Sequence, residues 1–145
     1  FAQQYDMDLK EFCTKSEIMD SILYSLFPNF APWAGFHPNL TYRMKPYGDN
    51  HDMCTMEIIV LMRFPEGAPR PADVPIIKLD KDQKFSEAEP LAGGLGKVFD
   101  QDFSNLKMVH KGLKNLQSGE VVLANYQESR IRHFHQTLDK YVYAK

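Results

Sequence analysis

The chain has 145 residues, 43% hydrophobic, 12% aromatic and 25% charged, which suffices for one domain with a core of its own and is too little for two of ordinary size. Its 17 Lys and Arg against 19 Asp and Glu leave a net charge of -2 with both signs interspersed, so there is no basic footprint for nucleic acid or an anionic membrane surface. The most apolar run, Met56 to Phe64, is broken by Glu57 and Arg63 and falls well short of the roughly 20 residues of a spanning helix.

In chain order, Phe12, Met19, Ile22, Leu23 and Leu26 recur at helical spacing and predict one amphipathic helix from Asp8 to Phe27, ended by Pro28. Phe30, Trp33 and Phe36 with two prolines suit an irregular or edge strand. Leu40, Tyr42 and Met44 alternate with polar residues, the Tyr47-Gly48-Asp49-Asn50 turn signal follows, and Cys54, Met56, Ile58, Val60, Met62 and Phe64 form an apolar face. This predicts an antiparallel hairpin of Leu40 to Lys45 with Met53 to Phe64. Five prolines between Pro65 and Gly94 predict a long irregular excursion. Helical spacing returns from Leu95 to Leu116, with Phe99, Phe103, Leu106, Val109, Leu113 and Leu116 on one predicted stripe, closed by Ser118-Gly119, and again from Asn125 to Tyr143. Val121 to Leu123 reads as a short strand or the start of that last helix.

Cys13 and Cys54 form no C-x-x-C pair, and a reducing cytoplasm is the expected location. The chain opens at Phe1 with neither an initiator Met nor a signal-type stretch, and is expected to be a piece of a longer protein.

One residue departs from its face. At about 100° per residue, Leu106, Val109 and Leu113 fall within about 40° of Asp102, which is therefore predicted to sit inside the apolar stripe, while Asp100 points to the opposite, solvated side. A buried carboxylate costs several kcal/mol unless it is compensated. Arg130 or Arg132, a polar network or a bound cation could each compensate it, and periodicity does not choose between them.

The histidines do not decide the matter. His133 and His135, two apart, cannot face one ion; His135 lies beside the Ile131 and Leu138 stripe as a core histidine would; His110 lies at the edge of the Asp102 face; His37 and His51 read as surface residues. No G-x-S-x-G, Rossmann or Walker motif is present, and Gly93-Gly94-Leu95-Gly96 reads as a hinge.

The run Val98-Phe99-Asp100-Gln101-Asp102-Phe103-Ser104-Asn105, continuing through Val109-His110-Lys111-Gly112-Leu113, resembles the helix segment of Rieske-type non-haem iron oxygenase large subunits, the aromatic-ring-hydroxylating family. Leu26-Phe27-Pro28-Asn29-Phe30, the R-x-x-P-x-G turn from Arg43 to Gly48, and Glu128 to His135 extend the likeness over nearly the whole chain. The C-x-H and C-x-x-H cluster ligands and the family's two-histidine stretch do not occur in these residues, and His110 stands where many relatives carry Gln. The chain thus resembles the C-terminal part of a catalytic domain.

The resemblance implies an α+β helix-grip (START-like) fold, an antiparallel sheet packed on a long C-terminal helix, and Asp102 as the carboxylate ligand of a mononuclear iron, one of three protein ligands. It further implies Val98, Phe103, Leu106 and Val109, with Met56 and Ile58, as walls of an apolar substrate pocket, and Asn105 and His110 as residues supporting the ligand. Its implied cofactors and partners are a two-iron two-sulfur Rieske cluster elsewhere in the complete protein, an aromatic substrate from ring catabolism, dioxygen, a ferredoxin or reductase as electron donor, and a trimeric or hetero-oligomeric assembly. A helix-grip module that holds a hydrophobic molecule without chemistry is the competing reading, because fold does not fix function.

Overall fold

The structure, a computed structural model, describes residues 8–36, 39–62, 64 and 66–144. The first seven residues, His37, Arg63 and Pro65 lie outside them, as does the side chain of Phe12. The chain divides into two units, Phe1–Arg70 with Asn125–Lys145, and Pro71–Ala124. The elements are α+β, with a four-stranded antiparallel sheet whose strands adjoin in chain order. No helix among the described residues is long and apolar enough to cross a membrane.

In the first unit, two short helices and a strand replace the predicted long helix. Asp8 caps α1 (Leu9–Phe12) by accepting the Lys10 N–H at 2.9 Å, and the backbone is extended at Cys13. Thr14 then opens α2 (Lys15–Met19) with a capping box: its hydroxyl accepts from the Glu17 N–H at 3.3 Å, and Glu17 accepts from the Thr14 N–H at 2.8 Å. Side chains that bond nearby backbone compete with helix continuation, and here they restart it. Asp20 is extended, so Ile22–Leu23 form the short strand β1 instead of a further turn.

β2 (Phe30–Ala34) lies between β1 and β3 and so is not the edge strand its prolines suggest. The Pro32 carbonyl accepts from the Tyr24 N–H at 3.0 Å, so the residue still serves as an acceptor although it lacks a donor. β3 (Leu40–Tyr47) and β4 (Asn50–Val60) form the predicted hairpin, with Leu40 opposite Val60 and Lys45 opposite Thr55. Gly48 takes the positive φ of 55° that a tight turn of this hand requires.

Among the described residues of this unit, Phe36, Leu40 and Thr41 are buried. Met56 and Ile58 on the predicted apolar face are half-buried, but Cys54, Val60, Met62 and Phe64 are exposed. α4 (Ser129–Val142) begins four residues later than predicted, after a turn that Arg132 braces by donating to the Asn125 carbonyl. It meets Phe27, on the connection between β1 and β2, through a stack with Tyr141 at 5.1 Å and a tilted contact with Phe134 at 5.6 Å. His135 is exposed and edge-on to Phe134, so it is not a core histidine.

In the second unit, residues 71–84 form neither helix nor strand. Two 3-10 turns, Phe85–Glu87 and Glu89–Leu91, give local order to the end of the predicted irregular stretch. α3 (Gly94–Lys114) matches its predicted span closely, and residues 121–124 have no regular structure.

On the sheet, Glu57 lies opposite Arg43, whose Nε donates to it at 2.6 Å, and it also pairs with Lys45. Lys45 first, then Arg43, hold the Glu57 carboxyl below its ordinary value of 4.5. A carboxyl lowered on folding adds stability that is complete above its unfolded value and is lost as pH falls through the folded one. Urea midpoints are therefore expected to show no pH dependence from Glu57 near neutral pH, where its contribution is complete, and to fall on acidification below about 4.5, with a smaller fall in Glu57→Gln. Identical acid profiles for the two proteins would remove this pair as a contributor.

Candidate metal centre

Helix α3 carries two faces where the sequence suggests one stripe. With Asp102 as zero and about 100° per residue, Leu95, Val98, Leu106, Val109 and Leu113 lie within about 40° of it, whereas Phe99, Phe103, Gly96 and Asp100 lie between about 60° and 160°. The chain covers the second set, with Gly96 and Phe99 buried and Asp100 and Phe103 half-buried. Phe85 packs against Phe99 at 5.6 Å and Phe103 at 4.6 Å, and Phe99 is 3% exposed.

At Gly96 the turns approach so closely that an added β-carbon would collide with the Leu91 carbonyl and lie 2.7 Å from the Ser86 Cα. Gly96 is thus a contact point and not the hinge its neighbouring glycines suggest. Farther along the helix, Lys107 donates to the Lys81 carbonyl at 2.6 Å and lies 3.7 Å from the Asp82 carboxylate.

Asp100, predicted to be solvated, is half-buried in this contact. Its two oxygens accept from the Phe85 N–H at 2.6 Å and the Ser86 hydroxyl at 2.5 Å. The Ser86 hydroxyl, joined by the Phe85 and Ser86 N–H groups, holds its carboxyl below the usual aspartate range against the opposing effect of burial. A signal for this face was present in the sequence. Gly96, Phe99, Asp100, Phe103 and Lys107 follow helical spacing, but a single apolar stripe drawn through Phe99, Phe103 and the aliphatic residues hides it.

Asp102 itself is exposed, which overturns the expectation that it is driven into a buried face and must be compensated. The aliphatic stripe around it is open, with Leu106 at 56% exposure and Val109 at 49%, because the turns of this unit cover the aromatic face instead. Among the described residues its carboxylate makes no hydrogen bond or ion pair, with an arginine or otherwise. Val98, Asn105 and His110 are also exposed on α3, and Phe103 is half-buried against Phe85. Met56 and Ile58 belong to β4 in the other unit.

The first unit has an open depression of about 300 Å³ lined by Ser25, Arg130, Ile131 and Phe134. It includes none of the predicted pocket residues.

Among the described residues no group of three His, Cys, Asp or Glu side chains is placed to hold a metal ion, and His51, His110, His133 and His135 are all exposed. An unpaired carboxylate suits a hard divalent cation as one donor, and Asp102 fits iron to that extent. The described residues do not complete the site.

A family model described as ring hydroxylating alpha subunit (catalytic domain) matches residues 3–144. No curated protein and no solved structure matches the chain.

The close approach at Gly96 is open to a test of sign. Helix propensity alone makes Ala better than Gly by about 1 kcal/mol, whereas forcing a β-carbon against backbone costs about 1–3 kcal/mol or more. Since the Leu91 and Ser86 backbone atoms cannot swing aside, Gly96→Ala is expected to lower stability by about 1 kcal/mol net in chemical denaturation. A stabilised variant would show that the turns do not dock on α3.

Proposed function

Because this chain belongs to the ring-hydroxylating alpha-subunit family, and so to an oxygenase catalytic domain, we propose that it takes part in inserting dioxygen-derived oxygen into an aromatic substrate at a mononuclear non-haem iron held in part by Asp102. The observation that carries this reading is a carboxylate without a partner among the described residues at the centre of an open apolar stripe.

Asp102 would supply one anionic oxygen donor, and the remaining protein donors would come from residues other than those described. Iron held there would supply the chemistry of dioxygen activation beside the substrate. The chain's own part is to present that donor and the apolar wall around it. Val98, Leu106 and Val109 flank Asp102 and, once covered by substrate or protein, would exclude water from the carboxylate. Desolvation strengthens every electrostatic interaction there, the hold on a cation included.

Asn105 lies about one turn on from Asp102 and about 60° round the same helix, placed for a role in holding its carboxylate, whereas His110 lies about 80° to the other side and about 12 Å along the axis, beyond direct reach of it. Electrons would come from a two-iron two-sulfur Rieske cluster outside the described residues, fed by a ferredoxin or reductase, in a trimeric or hetero-oligomeric cytoplasmic enzyme. No observation favours the alternative of a module that only holds a hydrophobic molecule.

In the intact protein, Asp102→Ala is expected to lose its mononuclear iron and its hydroxylation activity while the Rieske absorbance is unchanged; retained turnover would exclude Asp102 as a ligand. The isolated 145-residue chain is expected to form no oxygen-dependent product, and any such product would contradict the proposed incomplete site.

A further inference from the structure

Asp100 and Asp102, two positions apart on α3, have opposite surroundings. Asp102 stands exposed on the aliphatic stripe, and Asp100 is tied to the turns that cover the aromatic face. Ring contacts of Phe85 with Phe99 and Phe103 hold the helix against those turns, but apolar contact is non-directional and leaves rotation about the helix axis weakly restrained. Hydrogen bonds are directional. The pair at Asp100, the Lys107 bond to the Lys81 carbonyl and the close approach at Gly96 act on one side of α3, at about 120° to 160° from Asp102.

We propose that Asp100 is a positioning residue for Asp102: by gripping the Phe85 N–H and the Ser86 hydroxyl it sets the rotation of α3, and so the direction in which the Asp102 carboxylate is presented. The proposal rests on the reading of Asp102 as an iron ligand. The magnitudes make the restraint matter. A carboxylate about 5 Å from the helix axis moves by roughly 1 Å for each 10° of helix rotation, whereas metal–ligand distances tolerate only about 0.2 Å. A helix free to roll would present its donor poorly even with every other ligand in place.

The test uses the intact protein, ferrous iron and nitric oxide as a spectroscopic probe. Asp100→Ala is expected to keep its helical circular dichroism, to bind ferrous iron roughly 10-fold more weakly, and to change the electron paramagnetic resonance line shape of the ferrous nitrosyl species. Asp100→Asn retains an acceptor for the Phe85 N–H and an amide that can donate to Ser86, and is expected to stay close to the parent in both readouts.

Parent-like iron affinity and line shape in Asp100→Ala would overturn the proposal. So would an Asp100→Asn variant as impaired as Asp100→Ala, since negative charge and not the hydrogen-bonded grip would then be what matters. If Asp100→Ala does not fold, Ser86→Ala decides by the same readouts, with weakened iron binding in a folded protein in support and unchanged binding against. Asp102→Ala separates the two readings. If that variant keeps its iron the ligand assignment fails, and if it loses iron while Asp100→Ala does not, only the positioning role fails.

Discussion

Backbone from Ser86 to Leu91 lies against the start of α3 with no room for a β-carbon at Gly96, and the organisation of residues 71–124 depends on that approach. It brings the Phe85 ring onto Phe99 and Phe103 and puts two donors within reach of Asp100. A segment with little regular structure is thereby fastened along one side of a long helix. The fastening combines an apolar centre with polar ties at Asp100 and Lys107. Its ring contacts remove apolar surface from water, and its polar ties give partners to the Phe85 N–H and the Lys81 carbonyl.

Using one side of α3 in this way leaves the other side free. The aliphatic stripe from Leu95 to Leu113 remains exposed, with Asp102 at its middle. A carboxylate there pays no desolvation cost while water reaches it; the cost arises only when the stripe is covered, and a cation is one way to meet it. On the proposed reading, the acid and its apolar surroundings are thus kept available for the rest of a catalytic site. The family assignment and the geometry of the helix bear on that reading from independent directions.

The other unit is organised by short-range polar contacts as much as by its small core. Caps at Asp8 and Thr14 break the first helical pattern into two pieces, and the Phe36 N–H donates to the Glu17 carbonyl at 2.6 Å, tying α2 to the chain beyond β2. Trp33 stands edge-on to Tyr42 at 6.4 Å, and its indole N–H is buried without a hydrogen-bond partner among the described residues. An orphaned buried donor costs on the order of 1–3 kcal/mol, so the ring is held there by packing.

Period and turn chemistry are local, and what depends on them was legible in the amino-acid sequence: the β3–β4 hairpin with its Gly48 turn, α3 nearly to its ends and most of α4; the α+β class and the family came instead from the resemblance of motif runs along the chain. The same patterns misjudged residues 8–27, where side-chain caps overrode apolar spacing, and they merged two faces of α3 into one. Which of those faces is covered is not a local property. Apolar spacing identifies the surfaces that gain from burial, but only the path of the chain after Asp80 decides which surface is reached, and that path put Asp100 in the contact and left Asp102 in water. Helical rotation separates the two acids by about 160°, and tertiary contact alone determined the role open to each.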